Sequence, residues 1–164
     1  MLFRSKTYFA ERLKAYLEQH GTRDLATAPD TPFQNLSARV KWFNADEVRR
    51  KYNDWDFSHE GRIRQSIRML EFALSCDEDY VICDFVAPLV EMRNNFKADW
   101  TIWIDSIESG RYEDTNKAFI PPEVYDFRIT EQNAEKWVPF VGQHILKKER
   151  RPKFDWQKIG RAHV

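Results

Sequence analysis

A surplus of charge of either sign is missing from this 164-residue sequence, in which 26 Lys and Arg face 26 Asp and Glu. That balance gives no global field to draw in a nucleic acid or an anionic membrane surface, so neither is expected as a partner. Long apolar runs are missing too. The longest, Tyr80–Val90, is broken by Cys83 and Asp84 and falls far short of the roughly 20 residues that span a bilayer. No charged n-region followed by an apolar stretch is visible, so no signal peptide is read and a cytoplasmic location is expected. Cysteine is scarce: Cys76 and Cys83 lack metal-ligand spacing and are expected as reduced core thiols. The histidines do not cluster, with His20 and His59 on expected surfaces, His144 in the last helix and His163 at the extreme end. No Ser/His/Asp or Cys/His triad can be assembled from them. Internal repeats and low-complexity segments are also absent.

What is present suffices for one domain with a core, since 42% of the residues are hydrophobic. Phe9, Leu13 and Leu17 recur at four-residue spacing in Lys6–His20, with Tyr16 beside them and Gly21 as a stop, which predicts a helix. Thr22–Ser37, with Pro29 and Pro32, reads as a loop. A short strand is expected at Ala38–Phe43. Asn44 then caps a helix running to about Tyr52, with Glu47 placed for a capping box. Ser58 is the expected cap of a helix over His59–Ser75 whose apolar face includes Ile63, Ile67, Leu70 and Leu74. Tyr80–Phe85 is a near-continuous apolar strand of the kind buried on both faces of a parallel sheet. Pro88 suits the first turn of a helix reaching about Phe96. Strands are expected at Trp100–Ile104 and Tyr125–Ile129, and a last helix at Glu131–Leu146, kinked at Pro139. Strands alternating with helices predict an α/β domain with a parallel sheet.

The two ends read differently from the rest. Ile159–Val164, IGRAHV, matches one frame of a widely used sequencing adapter. Met1–Ser5, MLFRS, matches the opposite strand of the same adapter when its GTG is taken as a start codon. Residues 1–5 and 159–164 are therefore expected to be adapter-derived and are excluded from fold reasoning. Residues 6–147 are expected to form the domain, and 148–158, basic and containing Pro152, a linker or tail. On this reading the genuine protein runs from Lys6 to Lys158 and begins and ends in mid-gene, which leaves open a second domain after Lys158.

Lys6-Thr7 opens the first helix. A Lys-Ser/Thr pair there is the tail of the phosphate-binding loop G-x-x-x-x-G-K-[ST], in which the lysine contacts the β/γ-phosphates and the hydroxyl binds Mg²⁺. Alone the pair carries little weight, and its position directly after the adapter-like segment supplies the rest. Asn44-Ala45-Asp46-Glu47-Val48-Arg49 follows the next strand, then Asn53-Asp54-Trp55-Asp56-Phe57-Ser58 and Arg62. This series resembles the adenylylsulfate kinases, whose Asp-Gly-Asp-Asn-Val-Arg run precedes a Gly-Phe-Ser segment and a helix with an early Asp-Arg. The resemblance covers Lys6 to about Leu146 and implies a P-loop NTPase-like, three-layer parallel sheet with flanking helices, lacking its first strand and the glycines of its loop.

What the resemblance implies is transfer of the ATP γ-phosphoryl group to the 3′-hydroxyl of adenosine 5′-phosphosulfate (APS), with Mg²⁺, in sulfate assimilation. Asp46 would orient or deprotonate the attacking hydroxyl. Arg49 and Arg62 would hold the phosphosulfate in bidentate fashion, and Phe57 would stack on the adenine. Asp84-Phe85-Val86-Ala87-Pro88 is similar to the Ser-Phe-Ile-Ser-Pro run that lines the APS pocket at a strand end, and Arg93 falls near arginines downstream of that motif. For Asp84 two roles stay open, a Walker-B-type aspartate near Mg²⁺ or the cap of the next helix. Arg111–Phe119 reads as a polar loop of lid character. There Asn116, Lys117 and Phe119 resemble the lid segment that lays a second aromatic over the adenine, and the alternative packs Phe119 against Pro121-Pro122.

Departures from the family point to a divergent, phage-type branch. Asn44 stands for the first aspartate, Ala45 for the glycine, Gly61 for the aspartate of Asp-Arg and Gln65 for a helix asparagine, and the lid is short. They leave two rivals: a P-loop kinase for another nucleotide or small metabolite, and a non-catalytic nucleotide-binding module. The partner expected is a small molecule, with homodimer formation left open. The 164-residue chain itself is expected to be inactive without the glycine cradle. A missing central strand would also remove ladder bonds and buried area from a net stability of only about 5–15 kcal/mol.

Overall fold

The computed structural model describes residues 6–23, 36–106 and 113–148. The adapter-like ends, the middle of the Pro29/Pro32 loop, Arg111-Tyr112 and the 149–158 tail lie outside these residues. The described chain is mixed α/β. In order it runs α1 (Lys6–His20), β1 (Val40–Asn44), α2 (Ala45–Tyr52), α3 (His59–Ser75), β2 (Tyr80–Asp84) and α4 (Val90–Phe96). It continues with β3 (Ile102–Ile104), α5 (Glu113–Ala118), β4 (Phe127–Ile129) and α6 (Ala134–Lys147).

The strands form two parallel pairs. β1 lies beside β2, in register from Val40 opposite Tyr80 to Asn44 opposite Asp84. β3 lies beside β4, with Ile102 opposite Phe127 and Ile104 opposite Ile129. Both pairs share one core with α1 and α6: Phe9, Leu13 and Leu17 of α1 meet Val40, Phe127 and Ile129 of the strands and Val138, Val141 and Ile145 of α6. Alternation along a strand sends the next residues to the other face, where Phe43 of β1 stacks on Phe72 of α3 with ring centroids 5.2 Å apart. Helices thus cover both faces of the β1–β2 pair. Among the described residues no backbone hydrogen bond joins β2 to β3. This accounts for a difference from expectation: in the Tyr80–Phe85 strand only Asp84 is buried, and the apolar residues before it are half-covered.

Gly21 ends α1 by close approach. A Cβ there would sit 2.6 Å from the Leu17 carbonyl oxygen and 2.9 Å from the Ala38 side chain. Asn44 caps α2, its side-chain oxygen accepting from the amides of Asp46 and Glu47. Asn53 closes the helix in the left-handed region at φ 48°, where asparagine is tolerated.

Four expectations are corrected. Pro88 is not in the first turn of α4, which starts at Val90 with Leu89 as its N-cap. The carbonyl of Pro88 is instead held by the Ile120 amide and the Arg93 guanidinium. Arg111–Phe119 is not all loop, because Glu113–Ala118 forms a helical turn and a half. α6 begins at Ala134 rather than Glu131, with Pro139 inside it. Most consequential, α3 is rotated from its expected orientation: it buries Gly61, Arg62, Gln65, Ser66 and Met69, while Ile67 and Leu74 face out. Polar groups win here because each finds an inward partner. Arg62 donates to Thr115 and Phe57, and Gln65 donates to the Ala45 carbonyl. Burying such groups is tolerated only when they are bonded.

Candidate functional site

The N-terminus of α1 meets the C-terminal ends of β1 and β2, and three side chains close on one another there. Thr7 Oγ1 donates to Asp84 Oδ2 at 2.9 Å. Asn44 Nδ2 donates to the same carboxylate oxygen at 2.9 Å and to Thr7 Oγ1 at 3.1 Å. Asn44 therefore serves two elements at once, its oxygen capping α2 and its amide nitrogen bracing Asp84. Asp84 is buried at 7% exposure. It does not cap α4, whose N-cap Leu89 makes no side-chain cap bond, so of its two open roles the capping one is excluded. Lys6 is half-buried at the first position of α1. A carboxylate and a hydroxyl beside a helix N-terminus, at the carboxyl ends of parallel strands, make a setting suited to phosphate and its cation.

A second group lies on α2, α3 and the loop between them. Arg49 and Arg62 are buried at 5% and 6% exposure. Arg49 Nη1 donates to the carbonyls of Asp54 at 3.0 Å and Asp56 at 3.2 Å. Arg62 Nε donates to the Phe57 carbonyl at 2.8 Å, and its Nη1 to Thr115 Oγ1 at 3.0 Å. All four acceptors are neutral. Both guanidinium carbons lie over the Phe57 ring, at 4.6 and 5.5 Å from its centre. The Asp54 carboxylate is bonded to other arginines, accepting from Arg64 at 2.8 Å and from Arg68 at 3.0 Å. Burial is the main influence lowering the pKa of Arg49, opposed by the charge of Asp54 and reinforced by that of Arg62. Two buried guanidiniums with only neutral hydrogen-bond acceptors form an electropositive recess matched to an oxyanion.

Asp46 lies on the first turn of α2, half-buried, and no hydrogen bond reaches its carboxylate among the described residues. Arg49 lies close enough to feel its charge. A half-buried carboxylate with no hydrogen-bond partner among the described residues can accept a hydrogen bond from a bound hydroxyl.

The segment after β2 is held under strain. Ala87 sits at φ 44°, a left-handed conformation that costs a non-glycine residue on the order of 1–2 kcal/mol. Arg93 holds it there, with Nη1 donating to the carbonyls of Ala87 at 2.8 Å and Pro88 at 3.3 Å and Nη2 to that of Ile120 at 2.8 Å. Phe85 packs against Phe96, ring centres 5.3 Å apart. Of the lid-like residues, Lys117 is exposed and pairs with Glu113 one turn earlier, Asn116 is exposed and Phe119 is half-buried.

The structure thus brings Thr7, Asn44 and Asp84 together in one cluster, and Arg49, Phe57 and Arg62 in another. Lys117 pairs with Glu113, outside both clusters. Sequence reasoning missed Thr115, which carried no motif, and the brace of Arg64 and Arg68 on Asp54. Among the described residues no three His, Cys, Asp or Glu side chains group into a metal cage. No described helix is long and apolar enough to cross a membrane. Comparison with protein-family models gives no match, and comparison with curated proteins gives none either.

Proposed function

We propose that this domain is the catalytic core of an adenylylsulfate kinase of P-loop type, which moves the ATP γ-phosphoryl group to the 3′-hydroxyl of APS. The observation that carries the reading is the Thr7–Asn44–Asp84 cluster, a helix-start hydroxyl bonded to a strand-end carboxylate. Mg²⁺ fits these residues, because it is commonly held by one or two protein oxygens with water and phosphate completing the shell. When bound with ATP it neutralises charge on the phosphates.

The chain's own residues divide the remaining work. Lys6 at the helix start faces the phosphates, Asp46 orients the acceptor hydroxyl and takes its proton, and Arg49 and Arg62 bind the phosphosulfate. Phe57 offers a flat face to the adenine, and Phe85 and Pro88 wall the acceptor side. Asn116, Lys117 and Phe119 act as a lid that reaches the nucleotide only on closure. The proposed setting is the cytoplasm, in keeping with two free cysteines, of which burial pushes Cys83 up to about 12.

The reading requires a glycine-rich loop leading into Lys6, so its test uses a form in which a strand and such a loop precede that residue. This loop-bearing form should consume ATP only when APS is supplied, and the product should carry its new phosphate on the 3′ position. ATP turnover that is indifferent to APS would overturn the assignment. A second reading, a P-loop kinase for another small metabolite, is favoured by one observation: Asn44 stands at the head of α2 where a carboxylate is expected from the resemblance. Turnover driven by a different acceptor in a screen would select it. Tight nucleotide binding without turnover would select a binding module instead.

A further inference from the structure

Helix α5 has only six residues, far fewer than a helix needs to stand alone in water. Glu113, Asn116 and Lys117 are exposed and Ala118 is half-buried, whereas Thr115 is buried. Among its described side chains a polar one, Thr115, therefore seats the helix. What Thr115 meets is Arg62 of α3, 53 positions away, its Oγ1 accepting from Nη1 at 3.0 Å in a buried bond.

A hydroxyl here does what a carboxylate would not. The Arg62 guanidinium is held at two corners, Nε by the Phe57 carbonyl at 2.8 Å and Nη1 by Thr115, so its plane is fixed. Its Nη2 makes no hydrogen bond among the described residues. A carboxylate in place of Thr115 would orient the group equally well but would cancel its charge. The hydroxyl accepts the bond and leaves the charge for a ligand.

We propose that Thr115 is a positioning residue of the oxyanion recess, setting the Arg62 fork for a bound phosphate or sulfate group and fixing α5 when that group is in place. Arg62 meets the anion best in the orientation that Thr115 imposes, and Thr115 imposes it only while α5 is seated. Filling the recess and seating α5 therefore favour each other, and by linkage each does so by the same factor. Directly behind α5 the Ile120 amide donates to the Pro88 carbonyl, and Arg93 donates to the Ile120 carbonyl. The seated helix is thereby continuous with the strained Ala87 turn. This inference rests on the recess of Arg49, Arg62 and Phe57, and on the kinase reading only in naming APS as the ligand.

Calorimetric titration of the chain with inorganic pyrophosphate and, separately, with APS reads the effect. Thr115→Val keeps the shape of the side chain and removes the acceptor. It should weaken both ligands about tenfold or more, since the bond it deletes serves a charged group. Thr115→Ser restores the hydroxyl and should return both affinities to within about twofold of the native chain. Thr115→Asp separates orientation from charge. By pairing with Arg62 it should keep or raise the melting temperature while lowering both affinities further than Thr115→Val does. Amide exchange reads the reverse arm of the linkage at Phe119, whose amide donates to the Asn116 carbonyl. Saturating pyrophosphate should slow that exchange about tenfold or more in the native chain and leave it unchanged in Thr115→Val. Equal affinities in Thr115→Val and the native chain overturn the proposal, as does a lowered melting temperature with affinities intact. Failure of pyrophosphate to protect Phe119, or to bind the native chain at all, also overturns it. Thr115-dependent binding of pyrophosphate without binding of APS supports the proposal and overturns the kinase reading, so the two fail separately.

Discussion

Thr7 Oγ1 and Asp84 Oδ2 stand 2.9 Å apart although 77 positions separate them. The contact exists because α1 begins where β2 ends, and parallel pairing of β1 and β2 sets both strand ends at one level. A hydroxyl donating to a carboxylate in a partly buried setting stabilises the fold by only about 1 kcal/mol. The same pair, if it meets Mg²⁺ and phosphate, matters far more to catalysis. Thr7→Val should therefore cost about 1 kcal/mol in urea unfolding and about 100-fold in the turnover of the loop-bearing form. Full turnover in that variant would reduce the contact to a structural one.

Arg49 tests the oxyanion recess through its geometry. One guanidinium nitrogen serves the carbonyls of both Asp54 and Asp56, while the planar group lies over Phe57. An ammonium cannot stack in this way. Arg49→Lys should therefore lower stability by about 2 kcal/mol, a fall of roughly 6 °C in melting temperature. Differential scanning calorimetry reads it, and an unchanged melting temperature would show that the stacking is incidental.

The Asp54 brace gives a prediction in pH. Its hydrogen bond from Arg64 holds the carboxyl well below the usual carboxylate range, with Arg68 adding to it against an opposing effect of burial. A depressed folded-state value stabilises the fold fully above the unfolded value, near 3.9, and that contribution is lost as pH falls below it towards the folded value. Urea midpoints of the native chain should therefore fall between about pH 5 and about pH 3 more steeply than those of Asp54→Asn. Parallel slopes would mean that Asp54 contributes nothing through its charge.

Arg93 ties the strained Ala87 turn to the segment after α5. Arg93→Ala frees the carbonyls of Ala87, Pro88 and Ile120, so Ala87 should relax from its positive φ. Amide exchange at Ile120, which donates to Pro88, should quicken at least tenfold. In the loop-bearing form the KM for the acceptor should rise more than kcat falls, because the residue positions the pocket wall and touches no reacting atom. Unaltered exchange at Ile120 would contradict the coupling.

Much of the fold was legible. The limits of α1 and α3 follow from apolar spacing and from Gly21 and Ser58, and the strands from short apolar runs. What escaped has a common cause. The rotation of α3 depends on where Arg62 and Gln65 find partners, on Thr115 and Ala45, and such distant pairings leave no periodic trace. Helix α5 has no apolar stripe to announce it. For the site, spacing and resemblance picked out Thr7, Arg49, Phe57, Arg62 and Asp84, residues that the fold does gather. The second duty of Asn44 was hidden because its capping role already explained it. For Asp84 the sequence left two roles open, and only the start of α4 at Val90, with Leu89 as its N-cap, excludes the capping one.

The most direct measurement of the central claim is calorimetric titration of the chain with APS, beside AMP and inorganic sulfate as separate halves of that ligand. The recess of Arg49, Arg62 and Phe57 predicts that APS binds at least tenfold more tightly than either half, and that Arg62→Met removes most of that advantage. Equal affinity for APS and AMP, or affinity untouched by Arg62→Met, would contradict a phosphosulfate site and with it the kinase assignment.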